Sequence, residues 1–201
     1  VTDYEDVAPE YGTLADAQRL IDECHARGLK VMFDMVLNHT SDQHPWFQRS
    51  RASRSNPKAD WYIWADGRGK HGRRPPNNWK SAMELTSAWQ YSPVRSQWYM
   101  CSFLPFQPDL NWRNPEVKQA MLNSVRFWLD KGVDGFRLDI FGQIMKDPSF
   151  QNNPVRPHFV SESGQLISSI HALLVESRGQ RIVIDTCLGN DKQGRHVPTW
   201  N

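Results

Sequence analysis

Hydrophobic residues recur at helical spacing between residues 13 and 27, where leucine, alanine, isoleucine and cysteine return every three or four positions. This pattern predicts an amphipathic helix. Thr13 is a candidate N-cap, and Asp16 stands three positions later, where it could complete a capping box. Gly28 follows the last apolar position and is expected to end the helix.

Two further helices are predicted later in the chain. Asn114 is a candidate N-cap with Pro115 at the first helical position, and Gly132 follows the last apolar position of this second pattern. The third pattern, over residues 164–177, again repeats leucine and isoleucine at helical spacing. We therefore expect three helices outside the central part of the chain.

Short apolar runs alternate with these helices and predict strands at residues 30–37, 133–141 and 181–187. Alternation of helices and strands is typical of an α/β fold with parallel strands and crossover helices. In such folds, ligands bind at the carboxyl ends of the strands. Polar residues at these ends are therefore candidates for a functional site.

Residues 40–112 interrupt this alternation without any long periodicity, and we call them the Trp-rich segment. Seven of the nine tryptophans of the chain lie between residues 46 and 112. The length predicts an inserted, irregular subdomain, with residues 1–39 and 113–201 forming the α/β domain. The rings could fill a small core, or they could offer flat faces for stacking on sugar rings.

Composition excludes some functions. The net charge of the 201 residues is +2, and no basic stripe or nucleic-acid-binding motif is present, so we expect no nucleic-acid partner. The sequence has no run of 18 apolar residues, so we expect no membrane span. The polar first residues do not resemble a signal peptide. The three cysteines, Cys24, Cys101 and Cys187, have no metal-binding spacing and no even disulfide set. Reduced thiols and a cytoplasmic location are therefore expected.

Charged and polar residues follow the first two predicted strands. Arg137 and Asp139 are two positions apart within an apolar run, so a strand would turn both side chains to one face. Asp34, Asn38 and His39 lie at the end of the earlier strand. We expect all five to converge on one rim. Arg137 and Asp139 could form an inert ion pair, or Asp139 could be a nucleophile that Arg137 holds.

Four segments, in this order, resemble the α-amylase family, glycoside hydrolase family 13: DMVLNHTSDQHPWF, PPNNW, FLPFQPDLNWRNPEV and GVDGFRLDIF. The likeness is strongest to the α-glucosidase and oligo-1,6-glucosidase branch and extends from Asp3 to about Pro154. It implies a partial (β/α)₈ barrel, with about the third to fifth strands in this chain and a subdomain inserted after the third strand.

The resemblance also implies roles for individual residues. Asp139 matches the catalytic nucleophile of a retaining glycosidase, and Arg137 matches the arginine that keeps this carboxylate ionised. His39 matches the histidine that hydrogen-bonds the sugar at the cleavage point, beside Asp34 and Asn38 as structural polar residues. The implied substrates are α-linked gluco-oligosaccharides.

Two further expectations follow from the resemblance. Gln107 begins the family signature QPDLN and is a candidate substrate-binding residue. No motif requires a cofactor. Some family members bind calcium near the position of Asn38, but other ligands for it cannot be identified in this sequence.

The second carboxyl group that a retaining glycosidase needs, about 5 Å from the first, is not evident. The family has a glutamate at the end of the fifth strand, where this chain has Thr186, and a threonine hydroxyl cannot act as a general acid near neutral pH. Asp185 would point to the opposite face, and Glu162 follows Asp139 without an intervening amphipathic helix. We therefore expect weak activity or none.

Three functions remain open on the sequence alone. The chain could be the central part of an α-glucosidase-like hydrolase. It could be a diverged or truncated relative that binds sugar or a partner chain without catalysis. It could also belong to an isomerase or transglycosylase that shares the nucleophile. A partial barrel has open strand edges, which could support self-association.

Overall fold

A computed structural model describes residues 1–84 and 86–150, together with the backbone of two further strands at 173–177 and 180–184. The short 3₁₀ turns are Lys70–Gly72 and Phe141–Gln143. The helices and strands, in chain order, are α1 (Leu14–Ala26), β1 (Met32–Val36), α2 (Pro45–Ala52), β2 (Trp64–Ala65), β3 (Trp89–Ser92), β4 (Gln97–Met100), α3 (Pro115–Asp130), β5 (Gly135–Asp139), β6 (Leu173–Ser177) and β7 (Gln180–Ile184).

The first two predicted helices, α1 and α3, are confirmed, together with their caps. The Thr13 hydroxyl accepts from the Asp16 N–H at 3.3 Å, and the Asp16 carboxylate accepts from the Thr13 N–H at 3.0 Å. This is the predicted capping box. Asn114 accepts from the Glu116 N–H at 2.9 Å at the start of α3. Local sequence therefore determines where both helices begin.

Strands β1 and β5 pair in parallel, from Met32 opposite Gly135 to Val36 opposite Asp139. This confirms the predicted parallel arrangement, with α3 in the connection between the strands. One face of the pair packs on the helices, where the Phe33 and Trp128 rings meet edge to face at 5.1 Å. The carboxyl ends of the two strands therefore lie side by side.

The Trp-rich segment contains more regular structure than its sequence predicted. It includes α2 and a three-stranded antiparallel sheet in the order β2-β4-β3, so the expectation of an irregular segment is wrong for these residues. A helix of eight residues and strands of two to four residues are too short to give a clear periodicity. Trp61, Trp79 and Trp89 are buried, which supports a structural role for these rings.

A buried polar network joins the Trp-rich segment to the strand ends. The Lys146 ammonium lies 3.0 Å from the Asp109 carboxylate and donates to the Asn38 side-chain oxygen. Asp109 also accepts from the Ser102 N–H and hydroxyl and from the Asn38 amide. The Lys146 side chain is 3% exposed. Burial lowers the pKa of Lys146, and the Asp109 carboxylate opposes that shift.

The N-terminus of α2 depends on a buried histidine. His44 Nδ1 accepts from the Trp46 N–H at 3.1 Å, and the His44 ring packs against Tyr4 and Trp46, with centroid distances of 5.7 and 4.5 Å. Burial lowers the pKa of His44 to about 4. The cap therefore requires a neutral ring, because a protonated Nδ1 could not accept this bond.

The prediction of a third helix over residues 164–177 is wrong for its last part. Leu173–Ser177 is strand β6, which pairs antiparallel with β7, Leu173 lying opposite Ile184. The stretch LLVES fits either structure by composition, and pairing with the adjacent run QRIVI satisfies its backbone. The strand predicted at 181–187 begins at Gln180 and pairs with β6 rather than parallel to β5. The remaining residues of both predictions lie outside the described part.

Within the part of the chain that the structure describes, none of the helices is both long and apolar enough to span a bilayer.

We predict that Lys146→Met lowers the free energy of unfolding by about 3–5 kcal/mol, because it leaves the buried Asp109 carboxylate without its counter-charge. Urea denaturation followed by circular dichroism measures the change. Lys118→Met, at an exposed position of α3, is the matched control and should change the free energy by no more than about 0.5 kcal/mol. Equal effects of the two substitutions would contradict the role assigned to the ion pair.

We predict that His44 makes the fold sensitive to acid. Its folded pKa of about 4 lies below the ordinary value of 6.5, so its contribution is complete above pH 6.5 and is lost as the pH falls toward 4. Between pH 7 and pH 4.5 the loss should be about 2 kcal/mol. His44→Asn keeps an N-cap acceptor without the titration. An unchanged pH dependence of unfolding in this variant would exclude His44 as the cause.

Candidate active site

A charged cluster occupies the open face of the parallel strand pair. Arg137 on β5 lies opposite Asp34 on β1, and its guanidinium pairs with Asp34 and, at 2.8 Å, with Asp139. As predicted, Arg137 and Asp139 share one face of the strand. The guanidinium therefore holds two carboxylates, which raises the pKa of Arg137, with the hydrogen bond to Asp34 as the largest cause.

The cluster is accessible to solvent. The side chains of Arg137 and Asp34 are 54% and 53% exposed, and that of Asp139 is 22% exposed. The charged face of the strand pair is therefore exposed in the described residues. Only the opposite face of β1 and β5 packs on the helices, which leaves the charged face available for a ligand.

His39 lies at the other side of the site, three residues after β1. It is buried and its ring lies 5.4 Å from that of Phe103. The buried Tyr4 hydroxyl contacts the carbonyl oxygens of Val36 and His39 at 3.0 and 2.8 Å, as their hydrogen-bond donor. These contacts fix the backbone where the chain leaves the strand.

The surroundings of His39 favour its neutral form. Burial lowers the pKa of His39, and Lys146 adds to that shift, whereas the carboxylates of Asp109 and Asp139 oppose it. A neutral imidazole at this position can exchange hydrogen bonds with a ligand without adding charge.

Asn38 and Asp34 have different partners, although both lie in the same segment, DMVLNH. The Asn38 side chain contacts Lys146, Asp109 and His39 in the buried network, whereas Asp34 contacts Arg137 on the open face. Asn38 therefore supports the position of His39, and Asp34 supports that of Arg137.

Gln107 closes a tight turn. Its side-chain oxygen accepts from the Leu104 N–H at 3.2 Å, and its own N–H donates to the Leu104 carbonyl at 2.9 Å. This turn follows Phe103 and carries Phe106, which is exposed. The geometry gives Gln107 a structural contact, and its predicted contact with substrate stays a prediction.

The residue after Asp139 has an unusual backbone. Ile140 lies in the left-handed region, with φ 52° and ψ 31°, and the chain then enters the turn Phe141–Gln143. A β-branched side chain is strained in this region. Strain of this kind is common at functional sites, where surrounding contacts maintain it.

Three contributors to the site were not singled out from the sequence. Lys146 lies in the stretch IMKDP, which gives no periodic signal, and Tyr4 lies in a polar N-terminal segment without a recognisable motif. Asp109 belongs to the signature QPDLN, but nothing in the signature distinguishes a buried acid from an exposed one. Their roles depend on contacts between distant segments.

The second carboxyl group cannot be placed in this geometry, because Glu162, Asp185 and Thr186 lie outside the described residues. Among the residues that are described, no group of three or more histidine, cysteine, aspartate and glutamate side chains is arranged to hold a metal ion. At Asn38, the side-chain oxygen faces the Lys146 ammonium, which is itself a cation.

Comparison with known proteins agrees with this geometry. A probable alpha-glucosidase of Rhizobium meliloti (strain 1021) is 54% identical over 77% of this chain and 27% of the relative. An oligo-1,6-glucosidase of Parageobacillus thermoglucosidasius is 48% identical over 74% of this chain and 26% of the relative. The crystal structure of the alpha-glucosyl transfer enzyme XgtA superposes with a TM-score of 0.71, at 56% identity over 74% of this chain and 27% of that one.

The chain spans about a quarter of the length of these relatives. The family model described as the alpha amylase catalytic domain matches residues 1–184. The match covers most of the chain and includes both strands that carry the charged cluster, so the protein belongs to the alpha-amylase family, glycoside hydrolase family 13.

Proposed function

We propose that the protein is an α-glucosidase-like retaining glycoside hydrolase that acts on α-linked gluco-oligosaccharides, with Asp139 as its nucleophile. The observation that carries this proposal is the Arg137 guanidinium, which holds both Asp139 and Asp34 on the open face at the carboxyl ends of two parallel strands. The names of the relatives, an alpha-glucosidase and an oligo-1,6-glucosidase, support the substrate class.

In the proposed reaction, an Asp139 oxygen attacks the anomeric carbon and the glycosidic carbon–oxygen bond breaks. Arg137 holds and orients this carboxylate through their ion pair, and Asp34 holds Arg137 from the neighbouring strand. A covalent glycosyl-enzyme forms, and water then hydrolyses it. His39 and Gln107 are proposed to contact the sugar, and Asn38 to support His39.

The leaving oxygen needs a proton as the bond breaks. Glu162 and Asp185 have carboxyl groups, whereas Thr186, which takes the place of the expected glutamate, cannot protonate an alkoxide near neutral pH. General acid catalysis is typically worth about 10²–10⁴ in rate. Substrates whose leaving groups need no proton should therefore depend least on this residue.

The architecture supports a wider proposal about the fold. We propose that residues 1–39 and 113–201 are part of a (β/α)₈ barrel, with β1 and β5 as its third and fourth strands, and that residues 40–112 are its inserted subdomain. Among the described residues, β1 and β5 pair only with each other. Their outer edges are proposed to pair with further strands, from the same protein or from another copy.

We propose that the site works without calcium. The Asn38 side-chain oxygen, which is where a calcium ion could bind, faces the Lys146 ammonium. The Asp109 carboxylate also pairs with this ammonium. A divalent cation at this position would have to displace a buried lysine, which is unfavourable.

One alternative has specific support. The structural neighbour at 56% identity is an alpha-glucosyl transfer enzyme, and a transglycosylase would use the same nucleophile and intermediate. A sugar hydroxyl, rather than water, would then attack the glycosyl-enzyme. Product analysis in the presence of an added acceptor sugar separates the two reactions.

We predict that an activated fluorinated α-glucosyl fluoride labels Asp139 covalently. Peptide mass spectrometry should find one added glycosyl group on the peptide that contains this residue. Asp139→Asn should abolish the label, whereas Asp130→Asn, on the exposed end of α3, should not. Sugar binding without any label in the wild-type protein would favour the non-catalytic alternative.

We predict a strong preference of the 201-residue chain for activated substrates. An aryl α-glucoside with a good leaving group should react at least about 10²-fold faster than isomaltose or maltose, because it needs little general acid help. The comparison requires kcat/KM for each substrate, with Asp139→Asn as the blank. Comparable turnover of isomaltose would mean that Glu162, Asp185 or another acid supplies the proton.

A further inference from the structure

The Asn38 amide lies between two buried groups of opposite charge. The Lys146 ammonium can only donate hydrogen bonds, so it fixes the position of the Asn38 oxygen. The Asp109 carboxylate accepts from the Asn38 amide nitrogen at 3.0 Å. Asn38, Asp109 and Lys146 are all buried. If the amide were turned over, its nitrogen would face the Lys146 ammonium, another donor, and its oxygen would face the Asp109 carboxylate, another acceptor. The orientation of the amide is therefore strongly determined.

The same amide nitrogen lies 3.2 Å from Nδ1 of His39. An amide NH₂ group has two hydrogens and no acceptor. One hydrogen points to Asp109, and the other is available to His39. Nδ1 must therefore carry a lone pair, and the single proton of the neutral imidazole must lie on Nε2.

We infer that Lys146 and Asp109, acting through Asn38, are positioning residues that hold His39 as the neutral tautomer with its proton on Nε2. His39 therefore offers a hydrogen-bond donor to whatever approaches its second ring nitrogen. The contact of His39 with a sugar is part of the proposed function, and this inference deepens it. The tautomer itself depends only on the buried network.

Protonation of His39 is disfavoured for the same geometric reason. A second proton on Nδ1 would face the Asn38 amide donor and would require that side chain to turn. The ring is also buried, and Lys146 lies nearby, while the carboxylates of Asp109 and Asp139 act in the opposite direction. The amide thus keeps the ring neutral as well as selecting its tautomer.

The chemical consequence concerns the direction of the hydrogen bond between His39 and a ligand. A fixed donor at Nε2 favours an acceptor, such as a sugar hydroxyl oxygen. A ring that could change tautomer would accept or donate with similar ease. The buried network therefore determines that His39 donates a hydrogen bond at Nε2, although the network itself does not contact the ligand.

The direct test is the protonation state of His39 in solution. Long-range proton–nitrogen NMR of histidine-labelled protein distinguishes protonated from unprotonated ring nitrogens, and His39→Gln identifies the His39 signals among the seven histidines. From pH 6 to pH 8, we expect an unprotonated Nδ1 and a protonated Nε2. Adding calcium or a chelator should not change this pattern. A proton on Nδ1, or a calcium-dependent tautomer, would overturn the inference.

Asn38→Asp tests the amide directly. A carboxylate at this position accepts a hydrogen bond from Nδ1–H, so the proton should move to Nδ1 or the ring should become doubly protonated. Asn123→Asp, on the exposed side of α3, adds the same charge and should leave His39 unchanged, and His25 is an internal control in both variants. A retained Nε2–H tautomer in Asn38→Asp would contradict the inference.

Two features keep the test independent of catalysis and of folding. If Asn38→Asp does not fold, the wild-type spectrum alone decides the tautomer. If Asp139 is not labelled by the fluorinated sugar, the proposed function fails while the tautomer result still stands. If both hold, kcat/KM for Asn38→Asp should fall by about 10- to 100-fold, as expected when an outer residue that orients a site residue is lost.

Discussion

The buried contact between Lys146 and Asp109 is the interaction on which the rest of the site depends. It joins three segments that are distant in sequence: the end of β1, the loop of the Trp-rich segment that contains Ser102 and Asp109, and the chain that follows β5. Taking both charges out of water is costly, so the contact adds less to stability than its Coulomb energy suggests. Separating these segments would leave a buried charge without its partner, which costs far more than the intact contact contributes.

Two halves of the site are organised differently around this contact. His39 belongs to the buried half, where Tyr4, Asn38 and the ion pair leave little freedom for the backbone or for the ring. Arg137 and Asp139 belong to the open half, where the ion pairs are accessible to water and contribute little to stability. The buried half can therefore stay fixed while the open half exchanges water for a ligand.

Much of the fold could be predicted from the sequence where local chemistry determines it. The caps of α1 and α3 and the shared face of Arg137 and Asp139 follow from spacing alone. The role of Lys146 could not be predicted, because a lysine between Met145 and Asp147 shows nothing of its distant partners. Strand β6 was missed for a related reason: its residues suit a helix locally, and pairing with β7 decides the outcome. Sequence patterns thus fail where distant segments supply the partners.

The left-handed conformation of Ile140 has a consequence for how this position can vary. A glycine there would relieve the strain, since it adopts positive φ without a steric penalty. It would also loosen the turn that follows Asp139 and give that carboxylate more freedom to move. The side chain at position 140 therefore links backbone strain to the freedom of the neighbouring Asp139 carboxylate. Any substitution at position 140 would therefore change the backbone next to Asp139 as well as the side chain itself.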